Sequence, residues 1–418
     1  MTTLTAQRDL SRVEFIALVA ALMALNALAI DVMLPALPYM GEALGVVNEN
    51  ERQVVIGIYM LGFGSAQLFF GPLSDRFGRR APLLVGLVVY VLAALAASFA
   101  PNFAVLLALR FIQGLGAAGT RVIATSVVRD KFSGREMAEV MSLTFMVFMA
   151  IPIIAPSIGQ VLLLTGPWHT IFLFMAGLAL VISTWAYFRL PETLDPANQR
   201  PLTFTAVVDG FRLVFTNRVA LSYGLAGMFM FGCILGFISS SQQIFVEIYG
   251  LGPWFPIAFA GMAGLMAVSS FLNSRIVKRF GMRRLSHFAL LVMLTLAAVL
   301  TLLALAGPVN FWVFFALLCT IQFMFGWAAS NMNSLSMEPL GKVAGTASSV
   351  FGFTQTVGGA LLGTFIGTRF NGTIQPAAIG YLVMTALAIG LVLIAEKGRL
   401  FGVSQEYARP GDQIAAEH

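Results

Sequence analysis

Twelve stretches of mostly apolar residues follow one another along the chain, and each is about 20 residues or longer. A helix of that length crosses the hydrocarbon core of a bilayer, and lipid cannot satisfy the backbone groups of an open, irregular segment. The sequence therefore predicts an all-α integral membrane protein with twelve transmembrane helices. The predicted spans are residues 14–37, 53–71, 82–100, 103–126, 137–164, 169–190, 219–246, 254–273, 286–306, 310–333, 344–368 and 376–396.

The composition agrees with a lipid environment, because 58% of the residues are apolar and only 11% are charged. A soluble domain carries about 25% charged residues. The net charge of +6 resides mainly in short loops, which argues against a nucleic-acid partner. Cys233 and Cys319 both lie in apolar segments and indicate neither a disulfide framework nor a metal site. The first apolar stretch is too long for the core of a cleavable signal peptide.

The positions of Lys and Arg predict the orientation of these helices. With both termini in the cytoplasm, 21 basic residues fall in cytoplasmic regions, and the outer loops hold only Arg52 and Arg369. Such an excess is typical of cytoplasmic loops. It also supports the helix count, because one missed helix would invert every later loop.

The longest internal loop divides the chain into two sets of six helices. We expect an amino-terminal bundle at 1–190, a cytoplasmic linker at 191–218, a carboxy-terminal bundle at 219–396 and a cytoplasmic tail at 397–418. The apolar residues of the linker share one helical face, which favours an interfacial amphipathic helix over a flexible connection. They are Phe204, Val207, Val208, Phe211, Val214 and Phe215.

A basic motif recurs at the same place in both halves. Arg76-Phe77-Gly78-Arg79-Arg80 follows the second span, and Arg279-Phe280-Gly281 with Arg283-Arg284 follows the eighth. Weak repeats of this kind characterise transporters built from two related halves.

Five motifs together resemble those of the major facilitator superfamily, and of its drug:proton antiporters in particular. Residues 71–80, 109–116 and 155–159 are similar to the family's motifs in the loop after the second helix, in the fourth helix and in the fifth helix. Pro191-Glu192-Thr193 closes the sixth helix as in many relatives, and residues 31–38 with 128–130 are similar to the bicyclomycin-resistance branch. The resemblance covers nearly the whole chain. It implies two six-helix bundles around a central cavity and drug export driven by protons.

The loop at 71–80 combines glycines that permit tight turns with a carboxylate among arginines. Asp75 can accept hydrogen bonds from a helix N-terminus or pair with an arginine. We expect a conformational latch, with a merely solvated basic loop as the alternative; its residues are Gly71, Asp75, Arg76, Gly78 and Arg79. Lys278 stands where Asp75 would align in the second half, which predicts a strong latch in the first half only.

Asp31 and Arg110 are charged residues inside apolar spans, where a charge costs about 2.5–3.5 kcal/mol on insertion scales. Such residues usually line a cavity or carry protons, so we expect Asp31 to couple protons to transport. The alternative is an Asp at a helix end wetted from outside, near Pro35 and Pro38. Asp31 and Arg110 lie at similar depths, and Gln113 is one turn from Arg110, which predicts a polar cluster of the three. Arg110 can also act as a structural clamp.

The fifth span contains Pro152, Pro156 and Gly159 at spacings of four and three. Proline bends a helix and glycine allows close packing, which predicts a hinge at the interface of the two bundles; ordinary kinking is the alternative. The segment 114–119 matches a dinucleotide fingerprint, but no strand precedes it, so we interpret its glycines as packing residues. The absence of a phosphate-binding loop indicates that a gradient supplies the energy.

Polar and soft apolar side chains are expected to line the substrate cavity, because Met and Phe adapt to varied apolar ligands. For any single Met or Phe, packing in the core or against lipid remains the alternative. The predicted lining residues are Asn26, Gln113, Met146, Met228, Phe231, Gln242, Gln322, Phe325, Asn331, Phe353 and Gln355.

The sequence thus predicts a secondary transporter of the bacterial inner membrane that exports small amphipathic or apolar drug-like molecules in exchange for protons. We expect lipid contacts, a monomer, no metal and no cofactor besides the coupling proton. A metabolite or sugar transporter of the same fold is one alternative. A membrane receptor or enzyme is another, but no nucleophile with a base and no metal cluster supports it.

Overall fold

The computed structural model describes residues 10–132, 134–195, 212 and 214–402. Within these residues the chain is helical and contains no strand. The helices of the first half are α1 (Arg12–Ala43), α2 (Glu49–Phe77), α3 (Arg80–Ala97), α4 (Phe103–Lys131), α5 (Gly134–Thr165) and α6 (His169–Arg189). Those of the second half are α7 (Arg218–Ile248), α8 (Gly252–Phe280), α9 (Met282–Ala306), α10 (Phe311–Leu340), α11 (Ala347–Gly367) and α12 (Gln375–Ala395).

Eleven of these helices in the described part of the chain are long and apolar enough to span a membrane by themselves. Helix α5 stands where the fifth span was expected, and Ala150–Thr165 is its described apolar part. The prediction of an all-α membrane protein is therefore confirmed. The count of twelve spans agrees with the helix order but is not established independently for α5.

Local sequence sets where the helices begin and end. Asn102, Asn217 and Asn310 each precede a helix, and their side chains accept a hydrogen bond from its first turn. Gly78 and Gly281 end α2 and α8 with φ values of +85° and +81°. Only glycine adopts that conformation freely, so the repeated Arg-Phe-Gly motif ends the equivalent helix in each half.

The two halves meet where α2 packs on α11 and α5 packs on α8. Within the first half, α4 packs on α2 and α3, while α1 packs on α5. Within the second half, α7 packs on α11 and α12, and α9 packs on α10. The helices at the interface therefore enclose the space between the halves.

Glycines bring several backbones into direct contact. A Cβ atom on Gly114 would overlap the carbonyl oxygen of Tyr59 in α2, and one on Gly116 would approach Gly86 of α3. The interpretation of the segment 114–119 as packing glycines is thereby confirmed. Most of the linker, including the expected amphipathic face from Phe204 to Phe211, lies outside the described residues.

Candidate functional site

Asp31 ends the regular helical part of α1, and its carboxylate faces a cavity between the two halves. The residue is only 3% exposed, and Oδ1 receives no hydrogen bond from any described residue. The cavity has a volume of about 80 Å³. Its other walls are Pro152, Ile234, Phe237, Ile238, Phe259, Met262, Ala263, Met266 and Gln322. This burial favours a cavity residue over an Asp that is wetted from outside at a helix end.

Arg110 of α4 is fully buried inside the first half. Its Nη1 donates to Oε1 of Gln113 at 2.7 Å, and its Nη2 donates to the carbonyl oxygen of Ala29 at 3.0 Å and contacts Sδ of Met33 at 3.1 Å. The guanidinium carbon lies 4.3 Å from the ring centre of Tyr59. Arg110 therefore clamps α1 and α2 against α4.

The expected contact between Asp31 and Arg110 is wrong for this structure. Arg110 has no carboxylate partner among the described residues, whereas its expected contact with Gln113 is made. The predicted depth was right, because Ala29 and Met33 flank Asp31 in α1. The face was wrong: a helix turns about 100° per residue, so Asp31 points about 200° away from Ala29. An unpaired buried carboxylate is costly unless a proton or a cation neutralises it.

Of the predicted lining residues, Gln322 lies in the wall of the Asp31 cavity and accepts a hydrogen bond from Tyr381 at 3.1 Å. The others are placed elsewhere. Asn26 accepts from Tyr59, Gln113 binds Arg110, and Asn331 donates to Asn273.

The remaining predicted lining residues pack inside the second half or fall outside the description. Met228, Phe231 and Gln355 lie against glycines at the contact of α7 with α11. Gln242 and Phe325 are buried, and Phe353 is half-buried. Met146 belongs to α5, but its side chain lies outside the described part.

The missed wall residues, among them Phe237, Phe259 and Met262, come from α7 and α8. Their apolar side chains carried no signal that separates a cavity wall from a helix contact. Phe237 and Phe259 stack with ring centres 6.1 Å apart. The cavity therefore offers one carboxyl group and one amide within an aromatic and thioether surface.

The predicted hinge in α5 contributes to the wall of the Asp31 cavity and also packs against α1, the helix that carries Asp31. Pro152 lies in the cavity wall, and Pro152 and Pro156 lie within one continuous helix. A Cβ atom on Gly159 would overlap the carbonyl oxygen of Val32, so Gly159 permits the close contact of α5 with α1. The expected close packing is confirmed, while the hinge motion stays a prediction.

The loop after α2 forms an ion cluster around Arg79, which is 3% exposed. Its Nη1 lies 2.5 Å from Oδ1 of Asp75, and its Nε donates to Oδ2 of Asp130 at 2.7 Å. Burial alone would lower the pKa of Arg79, but the hydrogen bonds to Asp130 and Asp75 raise it above its ordinary value. The backbone N–H of Arg79 donates to Glu192 at 2.8 Å. The cluster thus joins the loop to the ends of α4 and α6.

Gly78 lies against the carboxylate of Glu192, where a Cβ atom would overlap Oε2. Gly71 faces Ser349 of α11, and Arg76 is exposed and lies over the ring of Phe77. The predicted latch residues thus lie together at one end of the helices. The ion pair of Asp75 joins it to Arg79 of the same half and not to the second half. Asp130 and Glu192 were not predicted as members, although both belong to recognised motifs.

A second ion cluster surrounds Arg283 in the corresponding loop of the second half, where Arg283 aligns with Arg80 and Met282 with Arg79. Its Nε donates to Glu396 at 2.9 Å, and its Nη2 donates to Glu338 at 3.1 Å. Tyr223 also donates to Glu396, and lies 2.9 Å from Nε2 of His287. Arg283 takes its carboxylate partners from the ends of α10 and α12, without a carboxylate at the position aligned with Asp75. That the latch is strong in the first half only stays a prediction.

Amide groups join the two halves at the opposite face. Gln53 donates to Gln243, and Gln243 donates to Oδ1 of Asn50 at 3.0 Å. Asn50 in turn donates to the carbonyl oxygens of Thr368 and Phe370. These bonds close the interface beside α2, α7 and α11 with uncharged groups.

The chain matches the family model of the Major Facilitator Superfamily over residues 19–363. It is 30% identical over 368 residues to a bicyclomycin resistance protein homolog of Haemophilus influenzae, covering 87% of this chain and 91% of that relative. It is 30% identical over 393 residues to the multidrug resistance protein MdtL of Klebsiella pneumoniae, covering 93% and 97%. A bacterial homolog of the lysosomal transporter Spinster, solved in an inward-facing and unoccupied conformation, superposes with a TM-score of 0.71 at 16% identity, covering 92% and 95%.

The fold and the cavity between its halves define a multi-pass membrane transport protein. The chain belongs to the major facilitator superfamily, because the family model spans most of its length.

Proposed function

We propose that this protein is a proton-coupled multidrug exporter of a bacterial inner membrane. Relatives with 30% identity are named for bicyclomycin resistance and multidrug resistance, which supports drug-like substrates. The observation that carries the proton coupling is the unpartnered carboxyl group of Asp31 in the cavity between the halves. The proton is the only cofactor in the proposal, and the working unit is a monomer.

The coupling follows from alternating access to one carboxyl group. A proton entering from outside neutralises Asp31 and favours closure around the empty cavity. On the cytoplasmic side, substrate entry favours release of that proton, and the reopened cavity delivers the substrate outward. One charge crossing 100 mV supplies about 2.3 kcal/mol. Coupling requires that proton and substrate bind the two conformers with different affinities.

The proposed orientation places both termini in the cytoplasm, because 21 of the basic residues then lie inside. The Arg79 and Arg283 clusters fall on that side, and the amide contacts of Gln243 fall outside. A reporter that is active only in the periplasm, fused after Gly402, is expected to be silent. Strong activity would contradict the orientation.

Everted vesicles from a pump-deleted bacterial host test the function itself. Respiration acidifies their interior, and each drug of a panel is added while the pH gradient is followed with a fluorescent amine. We expect at least one drug to dissipate the gradient in vesicles that contain the protein and not in empty controls. Export of a drug without any proton movement would contradict the proposal.

A further inference from the structure

A groove of about 510 Å³ lies between α3 and α6, on the outside of the first half, and shares no wall residue with the Asp31 cavity. Its walls are Leu84, Val85, Val88 and Val89 of α3, with Tyr187 and Phe188 of α6. Its volume falls in the range of about 300–1,000 Å³ that is typical of small-molecule sites. A groove of this size on a membrane-facing surface must be filled by lipid or by another apolar group.

Apart from the hydroxyl of the exposed Tyr187, the described walls of the groove present no free hydrogen-bonding side chain. Ser183 and Thr184 also line it, but each donates its hydroxyl to a carbonyl oxygen of its own helix, at 2.6 and 2.8 Å. Val85, Val88 and Phe188 are all more than half exposed. The walls therefore fit a hydrocarbon chain.

A cation closes one end of the groove. Arg80 begins α3, its Nη2 donates to the carbonyl oxygen of Tyr187 at 2.5 Å, and its guanidinium carbon lies 5.3 Å from the ring centre of Tyr187. Its Nε is buried and has no hydrogen-bond partner among the described residues. Glu192 accepts the backbone N–H of Arg80 but forms no ion pair with its side chain. The buried Nε cannot reach a ligand outside the protein, so the donors left for an anionic group are those on Nη1 and the second N–H of Nη2.

The distance from Arg80 to the far end of the groove at Val89 matches one leaflet of a bilayer. From Arg80 to Val89 the helix rises about 14 Å at 1.5 Å per residue. Half of a hydrocarbon core about 30 Å thick is about 15 Å. We propose that the groove between α3 and α6 binds one anionic phospholipid, with an acyl chain along Val85 and Val88 and its phosphate at Arg80. The proposed orientation serves only to name the leaflet as the cytoplasmic one.

Native mass spectrometry of the purified full chain tests this site without reference to transport. Phosphatidylglycerol and phosphatidylcholine with identical chains are titrated into the detergent-solubilised protein. We expect one phosphatidylglycerol to bind about tenfold more tightly than phosphatidylcholine. Arg80→Gln should reduce phosphatidylglycerol binding to the phosphatidylcholine level, because charge-assisted hydrogen bonds are the stronger ones.

Two further variants separate this site from general attraction of lipid to basic loops. Arg279→Gln removes an exposed arginine that lies 5.4 Å over the ring of Phe280 in the equivalent loop of the second half, and it should keep the lipid preference. Val88→Trp fills the groove from a half-exposed position and should weaken binding of both lipids, even if Arg80→Gln fails to fold. The proposal would be overturned if the unmodified protein bound the two lipids equally. It would also be overturned if Arg279→Gln lost as much phosphatidylglycerol binding as Arg80→Gln, or if Val88→Trp bound both lipids as tightly as the unmodified protein.

Discussion

The two halves of the molecule are alike at one face and unlike inside the membrane. In the first half, Arg79 joins the loop after α2 to Asp130 at the end of α4. In the second half, Arg283 joins the loop after α8 to Glu338 at the end of α10 and to Glu396 after α12. Each half therefore has an arginine between carboxylates in this loop, but at different positions: Arg283 aligns with Arg80, and Met282 takes the place of Arg79.

Within the spans, the charged residues belong to the first half. Asp31, Arg110 and Arg121 lie there, whereas the second-half spans carry their charged residues near their ends. The second half faces Asp31 with Gln322 and an apolar wall. Under the proposed function, the first half would carry the proton and the second half would supply most of the substrate contacts, although the two halves share one helix arrangement.

The largest effect is expected at Asp31. Asp31→Asn keeps the shape of the side chain but cannot exchange a proton, so uphill drug export in proteoliposomes with a pH gradient should be lost. Downhill exchange of labelled for unlabelled drug should continue, because the cavity is retained. The matched control from the second half is Gln322→Ala, which should change drug affinity and keep proton coupling. If Asp31→Asn exports the drug at the normal rate, the proposed assignment of proton coupling to Asp31 in the first half is wrong.

The next effect concerns the fold of the first half. Arg110→Ala removes charge-assisted hydrogen bonds, each worth about 1.5–3 kcal/mol, to Gln113 and the carbonyl oxygen of Ala29. We expect a thermal unfolding midpoint well below that of the unmodified protein in detergent. Arg110→Lys keeps the charge but loses the planar fork, so its midpoint should be intermediate. A normal midpoint with lost export in Arg110→Ala would instead show that Arg110 takes part in coupling.

A smaller difference should separate the two ion clusters. The side chain of Arg79 is 4% exposed and that of Arg283 is 18% exposed, so the carboxylates around Arg79 lose more when their partner is removed. Arg79→Ala should therefore lower the unfolding midpoint more than Arg283→Ala, measured side by side in one detergent. If both variants lowered the unfolding midpoint equally, the deeper burial of Arg79 would not make its cluster more important for stability.

The smallest effect on binding is expected for Asp75, whose side chain is 40% exposed. Asp75→Ala leaves Arg79 paired with Asp130, so the fold and the cavity should persist. Export should slow, while equilibrium drug affinity changes by at most a modest factor, because a latch alters populations of conformers. A parallel fall of affinity and export would assign Asp75 to the fold.

Much of this architecture could be predicted because lipid leaves the chain few choices. Apolar stretches set the helices, and the Arg-Phe-Gly repeat set the matching loops. That Asp31 faces away from Arg110 could not be predicted from depth alone, since the direction of a side chain changes by about 100° with each residue of a helix. The cavity wall around Phe237 and Met262 could not be found either, because apolar residues mark helix contacts and cavities alike. Glu338 and Glu396, the carboxylates around Arg283, are distant in sequence and meet only through the fold.

Proton release on drug binding shows directly whether Asp31 is the coupling carboxyl group. Purified protein in weakly buffered detergent solution is mixed with a drug identified in the vesicle assay, and the pH is followed with an indicator dye. We expect the unmodified protein and Asp75→Asn to release protons, and Asp31→Asn to release none although it still binds the drug. Undiminished proton release by Asp31→Asn would contradict the assignment of Asp31 as the coupling carboxyl group.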